Sequence, residues 1–242
     1  VRSSAASDVY KRQVQDGPVG IDLTEVLDRW IAKLGDIITL IVNEVNIGLT
    51  KSLNKGITAI DTDYIARMDS DDVSRPDRFA VQSEFLDTHK DVAVIGAYIQ
   101  EFSDICENLG VRKFPLDTAG AKKLIYKANP LAHPAVMMRK SMFDDGISYD
   151  ENYRTSQDLA LWFDILTAGY NVANIDKVLL NFRRNDSVYK RRSNRKDSNL
   201  EFKVHEKGIY KLFGISPYKS LFPIARYIPV SYTHLRAHET CA

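Results

Sequence analysis

A regular alternation of apolar runs and amphipathic helices limits the first third of the chain to few architectures. The apolar run at residues 37–42 is typical of a parallel strand that is covered on both faces. Apolar residues at helical spacing precede it over Ile21–Leu34 and end at Gly35, and a second helix is predicted from about Leu49. This order predicts a βαβαβ arrangement and an α/β fold.

The remaining sequence predicts further elements of the same kind and a C-terminal helical extension. Trp162 and Phe163 fall on the apolar side of one helix, so we expect both in the core. The last helix carries apolar residues beside Lys219 and Arg226, which suits either docking on the core or contact with a membrane surface. The predicted helices are 77–89, 118–127, 156–168, 199–212 and 217–228, and the predicted strands are 92–102, 111–114, 134–138 and 172–182.

A strand predicted at 64–68, with both faces buried, ends abruptly in three carboxylates. These are Asp69, Asp71 and Asp72, on what we call the acid loop (residues 69–72). Closely spaced carboxylates repel one another unless a cation lies between them, and hard oxygen ligands favour Mg²⁺ or Mn²⁺. The loop therefore predicts a divalent cation that carries a diphosphate. The alternative is a solvated turn with an Asp that caps the next helix.

Charge and motif content exclude several other classes of protein. A formal net charge of +1 gives no general attraction to nucleic acid. No apolar stretch approaches the ~18 residues needed to cross a bilayer, so we expect any membrane contact to be peripheral. The sequence has no G-x-G-x-x-G after a predicted strand and no Walker A spacing at Gly48, and an EF-hand alignment places Ser74 where glycine is required. These patterns argue against a dehydrogenase, a P-loop nucleotidase and a calcium loop.

Several motifs, in this order, resemble the family 2 glycosyltransferases of the GT-A fold, in particular those of bacterial exopolysaccharide and lipopolysaccharide synthesis. The resemblance covers residues 14–228 and implies a Rossmann-like mixed sheet flanked by helices, with Mn²⁺ or Mg²⁺ as cofactor. The motifs are V-Q-D-G-P at 14–18, N-I-G-L-T-K-S-L-N-K-G at 46–56, Y-I-A-R-M-D-S-D-D-V-S-R-P-D-R-F at 64–79, N-P-L-A-H-P-A-V-M-M-R-K-S at 129–141, S-Q-D-L-A-L-W at 156–162 and V-Y-K-R-R at 188–192.

The resemblance also implies roles for individual residues in donor binding. Asp16 would contact the uracil of a UDP-sugar. Asn46, Gly48 and Arg67 would line the nucleotide pocket, with Arg67 near phosphate or ribose. The three carboxylates of the acid loop would hold ribose and the metal, and the sequence does not distinguish which of them bonds the metal directly.

Asp158 matches the catalytic base of the family. An inverting transfer needs one base that takes the proton of the acceptor hydroxyl as this attacks the anomeric carbon. The alternative is that Asp158 only caps its helix. Arg191 and Arg192 belong to a basic segment that would close over the diphosphate as a flap, or that is simply a solvated face. His133 is either a structural histidine or faces the donor sugar.

Both ends of the chain resemble translated sequencing-adapter tags. We therefore divide the sequence into a tag (1–13), a GT-A domain (14–192), a helical extension (193–229) and a second tag (230–242). The first strand of the family would precede Val14 and is not found in this sequence, so we expect the chain as it stands to bind donor weakly or not at all.

These observations predict an inverting, metal-dependent glycosyltransferase of cell-surface polysaccharide synthesis. It would move a sugar from a nucleotide-sugar donor, a UDP-sugar, to a glycan or lipid-linked acceptor, with no nucleic-acid partner. We expect a cytoplasmic location with peripheral contact at the inner face of the plasma membrane. A sugar-phosphate nucleotidyltransferase and a non-catalytic remnant that binds carbohydrate or nucleotide are the alternatives.

Overall fold

Strands and helices alternate through the first part of the computed structural model, which describes residues 9–184 and 195–227. The order begins with β1 (Lys11–Asp16), α1 (Ile21–Leu34), β2 (Ile38–Asn43), α2 (Leu49–Thr58) and β3 (Tyr64–Ala66). Strand β1 thus starts inside the segment that we assigned to a tag, and the division into domains stays a prediction. The later elements are β4 (Val73–Ser74), α3 (Arg78–Thr88), β5 (Val92–Phe102), β6 (Gly110–Arg112), α4 (Thr118–Leu124), β7 (Met137–Arg139), α5 (Lys140–Asp144), α6 (Gln157–Thr167), β8 (Asn171–Arg183), α7 (Arg195–Phe213) and α8 (Pro217–Tyr227).

The described strands form two sheets. β1 and β2 pair in parallel, with Lys11 opposite Ile38 and Asp16 opposite Asn43. The second sheet has the order β3-β7-β5-β8-β4, and β6 pairs with β5. Its central pair, β5 and β8, is parallel and its other pairs are antiparallel, which confirms the predicted mixed sheet.

The main core lies between the mixed sheet and α6. Trp162 is 0% exposed and Phe163 is 1% exposed, so both are core residues as predicted. Helix α7 covers the outer side of α6 at close range, because Gly208 lies directly against the ring of Phe163. A Cβ atom at Gly208 would lie 2.3 Å from that ring, so any larger residue would push the helices apart.

Burial around the first sheet is lower than the sequence predicts. None of the residues of α1 is buried, and Leu23 and Trp30 on its apolar side are 49% and 48% exposed. In β2, Val42 is 50% exposed. The prediction that this strand is covered on both faces is therefore wrong in the described structure, because α1 packs too loosely to bury it.

Three other predicted strands have different boundaries. β3 ends before Met68, which is 42% exposed, because β3 is an edge strand whose only described neighbour is β7. The predicted strand 134–138 is a 3-10 turn (His133–Ala135) followed by β7, since Pro134 has no N–H to donate to a sheet. The strand predicted at 111–114 is β6 (Gly110–Arg112), because Phe114 turns into the core.

The helical extension docks on the core. Phe222 of α8 meets Tyr126 edge-on, with ring centroids 5.3 Å apart. Tyr218 and Leu221 of α8 remain 65% and 58% exposed. Among the described helices, none combines the length and the apolar character needed to span a membrane.

Candidate active site

Arg67 lies between β3 and the acid loop and binds the first carboxylate of that loop. Its N–H donates to the carbonyl of Val136 at 3.1 Å, and its carbonyl accepts from Nη2 of Arg78 at 2.8 Å, so its backbone is fixed on both sides. Its guanidinium donates through both Nη atoms to both carboxylate oxygens of Asp69, with an Nη1–Oδ2 distance of 2.7 Å. Such a bidentate pair fixes geometry and charge together. Asp69 is therefore already paired with a cation of the protein itself.

Arg78 and Gln82 of α3 support the acid loop from the interior. Both are 0% exposed. Nε of Arg78 donates to Oε1 of Gln82 at 3.0 Å, and Nε2 of Gln82 donates to the carbonyl of Ala135 at 2.8 Å. Burial, together with the neighbouring charge of Arg67, lowers the pKa of Arg78 to about 10, so this side chain stays charged at neutral pH. A buried positive charge beneath the loop favours the ionised carboxylates above it.

Asp72 is the buried carboxylate of the acid loop, and it is only partly compensated. It is 6% exposed. Its Oδ1 accepts from the backbone N–H of Arg183 at 2.9 Å, whereas its enclosed Oδ2 has no hydrogen-bond partner in the part of the chain that the structure describes. Burial, together with the negative charges of Asp69 and Asp71, raises the pKa of Asp72 to about 6. The hydrogen bond from the backbone N–H of Arg183 acts in the opposite direction.

The three carboxylates of the acid loop fit a shared divalent cation. One oxygen from each of Asp69, Asp71 and Asp72 lies within 4.8 Å of the others. An exposed turn would leave every carboxylate oxygen hydrated, but Oδ2 of Asp72 is enclosed, has no partner among the described residues and would gain from a hard cation. The alternative of a helix-capping turn is not favoured, since Asp77 at the N-cap of α3 makes no side-chain capping bond.

Asp158 lies in the first turn of α6. Its Oδ2 accepts from Nδ2 of Asn129 at 2.9 Å. Burial raises the pKa of Asp158, although the N–H of Leu159 and the positive charge of Arg67 act against this. The N-cap of α6 is Ser156, with a left-handed φ of 58°, so Asp158 is not itself the cap residue. Strained backbone in a non-glycine residue is found most often at functional sites.

His133 is buried beside this site. It is 7% exposed, and its Nε2 lies 2.6 Å from the hydroxyl of Tyr149. Burial, with the charge of Arg67, lowers the pKa of His133 well below its ordinary value, so the imidazole is neutral. Its ring also meets Trp162 edge-on. Of the two roles considered for His133, this enclosure favours the structural one.

Asp16 connects the end of β1 to the start of α2. Its two carboxylate oxygens accept from the N–H groups of Ile47 at 2.8 Å and Gly48 at 2.9 Å, and Oδ1 also accepts from Nδ2 of Asn43 at 3.1 Å. Burial alone would raise the pKa of Asp16, but these donors outweigh it and lower the pKa. Nδ2 of Asn46 donates to the carbonyl of Asp16 at 3.2 Å. Asp16, Asn46 and Gly48 thus form one hydrogen-bonded group.

The segment before α6 connects this group to Asp158. Gly48 has a φ of 93°, and a Cβ atom there would lie 3.8 Å from the guanidinium of Arg154. The hydroxyl of Thr50 donates to the carbonyl of Tyr153 at 2.5 Å. The chain then continues through Ser156 into α6. One short segment therefore holds the start of α2 next to the helix that carries Asp158.

Residues 14–147 match the family described as Glycosyl transferase family 2. The chain belongs to this family. It is 34% identical over 180 residues to the amylovoran biosynthesis glycosyltransferase of Erwinia amylovora, covering 74% of this chain and 66% of that protein. It is 31% identical over 210 residues to the UDP-Gal:alpha-D-GlcNAc-diphosphoundecaprenol beta-1,3-galactosyltransferase of Escherichia coli, covering 84% of this chain and 75% of that protein. The resemblance that the motifs indicated is confirmed.

Solved structures share the fold of this family 2 chain. The structure of S. aureus TarS residues 1–349 in complex with UDP-GlcNAc has a TM-score of 0.66 at 15% identity, covering 91% of this chain and 63% of that one. The structure of GalNAc-T7 with UDP, GalNAc and Mn²⁺ has a TM-score of 0.58 at 13% identity, covering 76% of this chain and 39% of that one. These likenesses confirm the predicted GT-A fold. The chain spans about three fifths of the TarS structure.

The structure arranges the predicted site residues of this family 2 chain in two groups. In the first group, Arg67 is paired with Asp69 of the acid loop and its charge also acts on Asp158. In the second group, Asp16 binds the loop before α2 at the end of β1. Arg191 and Arg192 lie outside the described residues, so the basic flap stays a prediction. The individual roles of the residues in both groups also stay predictions.

Sequence reasoning missed several residues that support these groups. Arg78 and Gln82 were overlooked because arginine and glutamine are usually exposed. Asn129 and Arg154 lie within or just before quoted motifs, and only their position next to a motif could have drawn attention to them. The contact of Arg183 with the acid loop was also missed, because its backbone N–H meets Asp72 over a separation of 111 residues.

Proposed function

We propose that this chain is the donor-binding and catalytic domain of an inverting glycosyltransferase of cell-surface polysaccharide synthesis. It would transfer a sugar from a UDP-sugar to a glycan or lipid-linked acceptor. The observation that carries this proposal is that the positive charge of Arg67, which is paired with Asp69 of the acid loop, also acts on the buried carboxylate of Asp158. A transferase of this kind needs a diphosphate site and a base at one centre.

Asp71 and Asp72 would hold a divalent cation, Mn²⁺ or Mg²⁺. Asp72 offers an enclosed oxygen without a described partner, and Asp71 is exposed beside it, whereas both oxygens of Asp69 are bonded to Arg67. When bound, the cation would stabilise the negative charge on the leaving diphosphate. Asp69 is then best placed to accept from ribose hydroxyls while Arg67 holds it in position, since a paired carboxylate keeps lone pairs for further donors.

Asp158 would act as the general base. Asn129 fixes one carboxylate oxygen, and the free lone pairs would accept the proton from the acceptor hydroxyl as that oxygen attacks the anomeric carbon. The UDP leaves on the opposite face of the sugar as the new glycosidic bond forms. Burial raises the pKa of Asp158 from its ordinary value, which makes it a better proton acceptor.

Asp16, Asn46 and Gly48 would form the uracil side of the donor site. Asp16 already accepts from three protein groups, so its contribution includes holding the loop before α2 in shape. The exposed amide of Asn46 and the guanidinium of Arg154 near Gly48 would then meet the nucleotide. The flap role of Arg191 and Arg192 over the diphosphate belongs to the same proposal.

The exposed side of α8 supports the peripheral membrane contact that belongs to this proposal. Tyr218, Leu221 and Ile224 are exposed there, which suits shallow insertion at the inner face of the plasma membrane, where a lipid-linked acceptor would lie. One relative is named for a diphosphoundecaprenol acceptor. Sedimentation with anionic vesicles tests this part, and a Leu221→Asp variant that binds vesicles as well as the unchanged chain would contradict it.

The decisive experiment is a screen of nucleotide sugars for metal-dependent release of the nucleotide. We expect UDP release from at least one UDP-sugar, dependent on Mn²⁺ or Mg²⁺ and lost in Asp158→Asn. Formation of a nucleotide sugar from sugar phosphate and UTP would instead favour the nucleotidyltransferase, and UDP-sugar binding without turnover would favour the non-catalytic remnant.

A further inference from the structure

Arg183, the last residue of β8, contacts the acid loop at two points. Its backbone N–H donates to Oδ1 of Asp72 at 2.9 Å. Its side-chain Nε donates to the backbone carbonyl of Asp71 at 3.0 Å. The two bonds reach consecutive residues of the loop, so they fix both the carboxylate of Asp72 and the backbone that carries Asp71.

The other end of the same guanidinium is anchored away from the loop. Nη1 of Arg183 forms an ion pair with Asp104, just beyond β5. The guanidinium carbon lies 4.7 Å from the ring centroid of Phe102, the last residue of β5. Phe102 and Arg183 are also paired in the parallel register of β5 and β8. The side chain therefore spans from the acid loop to the central pair of strands of the mixed sheet.

We propose that Arg183 is a positioning residue that holds the carboxylates of Asp71 and Asp72 close together before a cation binds. The inference rests on the proposed function, because it assumes that these two carboxylates take the cation. Three neighbouring carboxylates repel one another, and a loop without an anchor would spread them apart. Arg183 opposes this spreading through its hydrogen bonds to the loop and its anchor on Asp104.

The shape of arginine is essential to this role. Its planar guanidinium presents N–H groups in several fixed directions, so Nε can bind the loop while Nη1 binds Asp104. A lysine has one terminal ammonium group and cannot span both partners in the same way. Arg183→Lys would keep the positive charge near the carboxylates but lose the connection between the loop and the sheet.

The alternative is an ordinary surface ion pair. The side chain of Arg183 is 33% exposed and that of Asp104 is 75% exposed, and such pairs contribute little to stability. Removing the side chain should therefore change the melting temperature of the metal-free protein only slightly. Under the proposal it should nevertheless weaken cation binding, since partners that orient metal ligands strongly affect metal affinity.

The test compares Mn²⁺ binding by Arg183→Met, Arg183→Lys and a matched control, Arg112→Met. Arg112 of β6 also pairs with an acid, Glu101, at 3.4 Å, and lies over an aromatic ring, Phe114, but has no described contact with the acid loop. Binding is measured by calorimetric titration of the nucleotide-free chain with MnCl₂, and melting temperatures are measured in EDTA.

We expect Arg183→Met and Arg183→Lys each to weaken Mn²⁺ binding by about 10-fold, while Arg112→Met binds like the unchanged chain. The melting temperatures of the three variants in EDTA should stay close to that of the unchanged chain. Unchanged Mn²⁺ affinity in Arg183→Met overturns the inference, and so does full recovery by Arg183→Lys, which would reduce the role to charge alone.

A parallel titration of Asp71→Ala separates this inference from the proposed function. Loss of Mn²⁺ binding in Asp71→Ala with no effect of Arg183→Met overturns only the positioning role. Undiminished Mn²⁺ binding in Asp71→Ala overturns the metal site of the proposed function and the positioning role together.

Discussion

Replacing Asp72 with asparagine should stabilise the metal-free protein while it removes the cation site. The buried carboxylate of Asp72 has a pKa of about 6, against an ordinary value of 3.8, because burial and two neighbouring carboxylates disfavour its charge. Asparagine keeps an oxygen that can accept from the backbone N–H of Arg183. It carries no charge, so the cost of burying the carboxylate disappears.

The sign and the pH window follow from the difference between the two pKa values. Asp72 binds its proton more tightly in the folded than in the unfolded state, so stability falls as the pH rises from about 3.8 to about 6. A difference of about two pKa units between the folded and the unfolded state corresponds to about 3 kcal/mol in the free energy of unfolding. The loop lies at the surface, where solvent screens charge, so we expect roughly half of this, about 1.5 kcal/mol, at pH 8.

The assay is thermal unfolding in EDTA at pH 5 and pH 8. At pH 8 we expect Asp72→Asn to melt roughly 3–6 °C higher than the unchanged chain. At pH 5 the free-energy difference should fall to about half, because the folded carboxylate is then largely protonated. Asp71→Asn, which changes an exposed carboxylate of the same loop, is the control and should gain less. A pH-independent difference, or no gain at pH 8, would refute the burial argument.

Three further changes test other parts of the site. Asp158→Asn should reduce transfer by at least about 10²-fold with donor affinity nearly unchanged, as expected for loss of a general base, and an equal loss of donor binding in calorimetry would contradict that role. Asp71→Ala should abolish the Mn²⁺ dependence of UDP binding in the same instrument, and persistent dependence would move the metal site elsewhere. Arg78→Met removes the buried donor to the Arg67 carbonyl and one of the two donors to the Val136 carbonyl, and should lower the free energy of unfolding by about 3 kcal/mol. An unchanged midpoint in urea denaturation would show that the structure does not need this support.

The sequence determined the parts of this protein that depend on local pattern. Apolar spacing predicted α1 at its observed bounds and the burial of Trp162 and Phe163 in α6, because helical periodicity is visible over a single segment. The order of the motifs identified the family. The acid loop also drew attention as a cluster of carboxylates directly after an apolar run, although by itself it also fitted a solvated turn, and the motifs around it favoured the metal site.

The tertiary structure decided how the three carboxylates of the acid loop differ in their surroundings. In the sequence, Asp69, Asp71 and Asp72 are equivalent. In the fold, Asp69 is paired with Arg67, Asp71 is exposed, and Asp72 is buried against a backbone N–H from a residue 111 positions away. No local pattern encodes a contact over that distance, because the antiparallel pairing of β4 with β8, with Val73 opposite Asn181, brings the end of β8 to the loop.

The pairing of the strands and the interior support of the acid loop were also decided by the tertiary structure. Sequence periodicity predicted strands but not their partners, and β3 pairs with β7 instead of continuing the sheet of β1 and β2. Arg78 and Gln82 have the composition of a solvated helix face, yet they are fully buried beneath the acid loop. Their burial depends on carbonyl groups supplied by the turn before β7, and only the folded chain brings those groups within hydrogen-bonding distance.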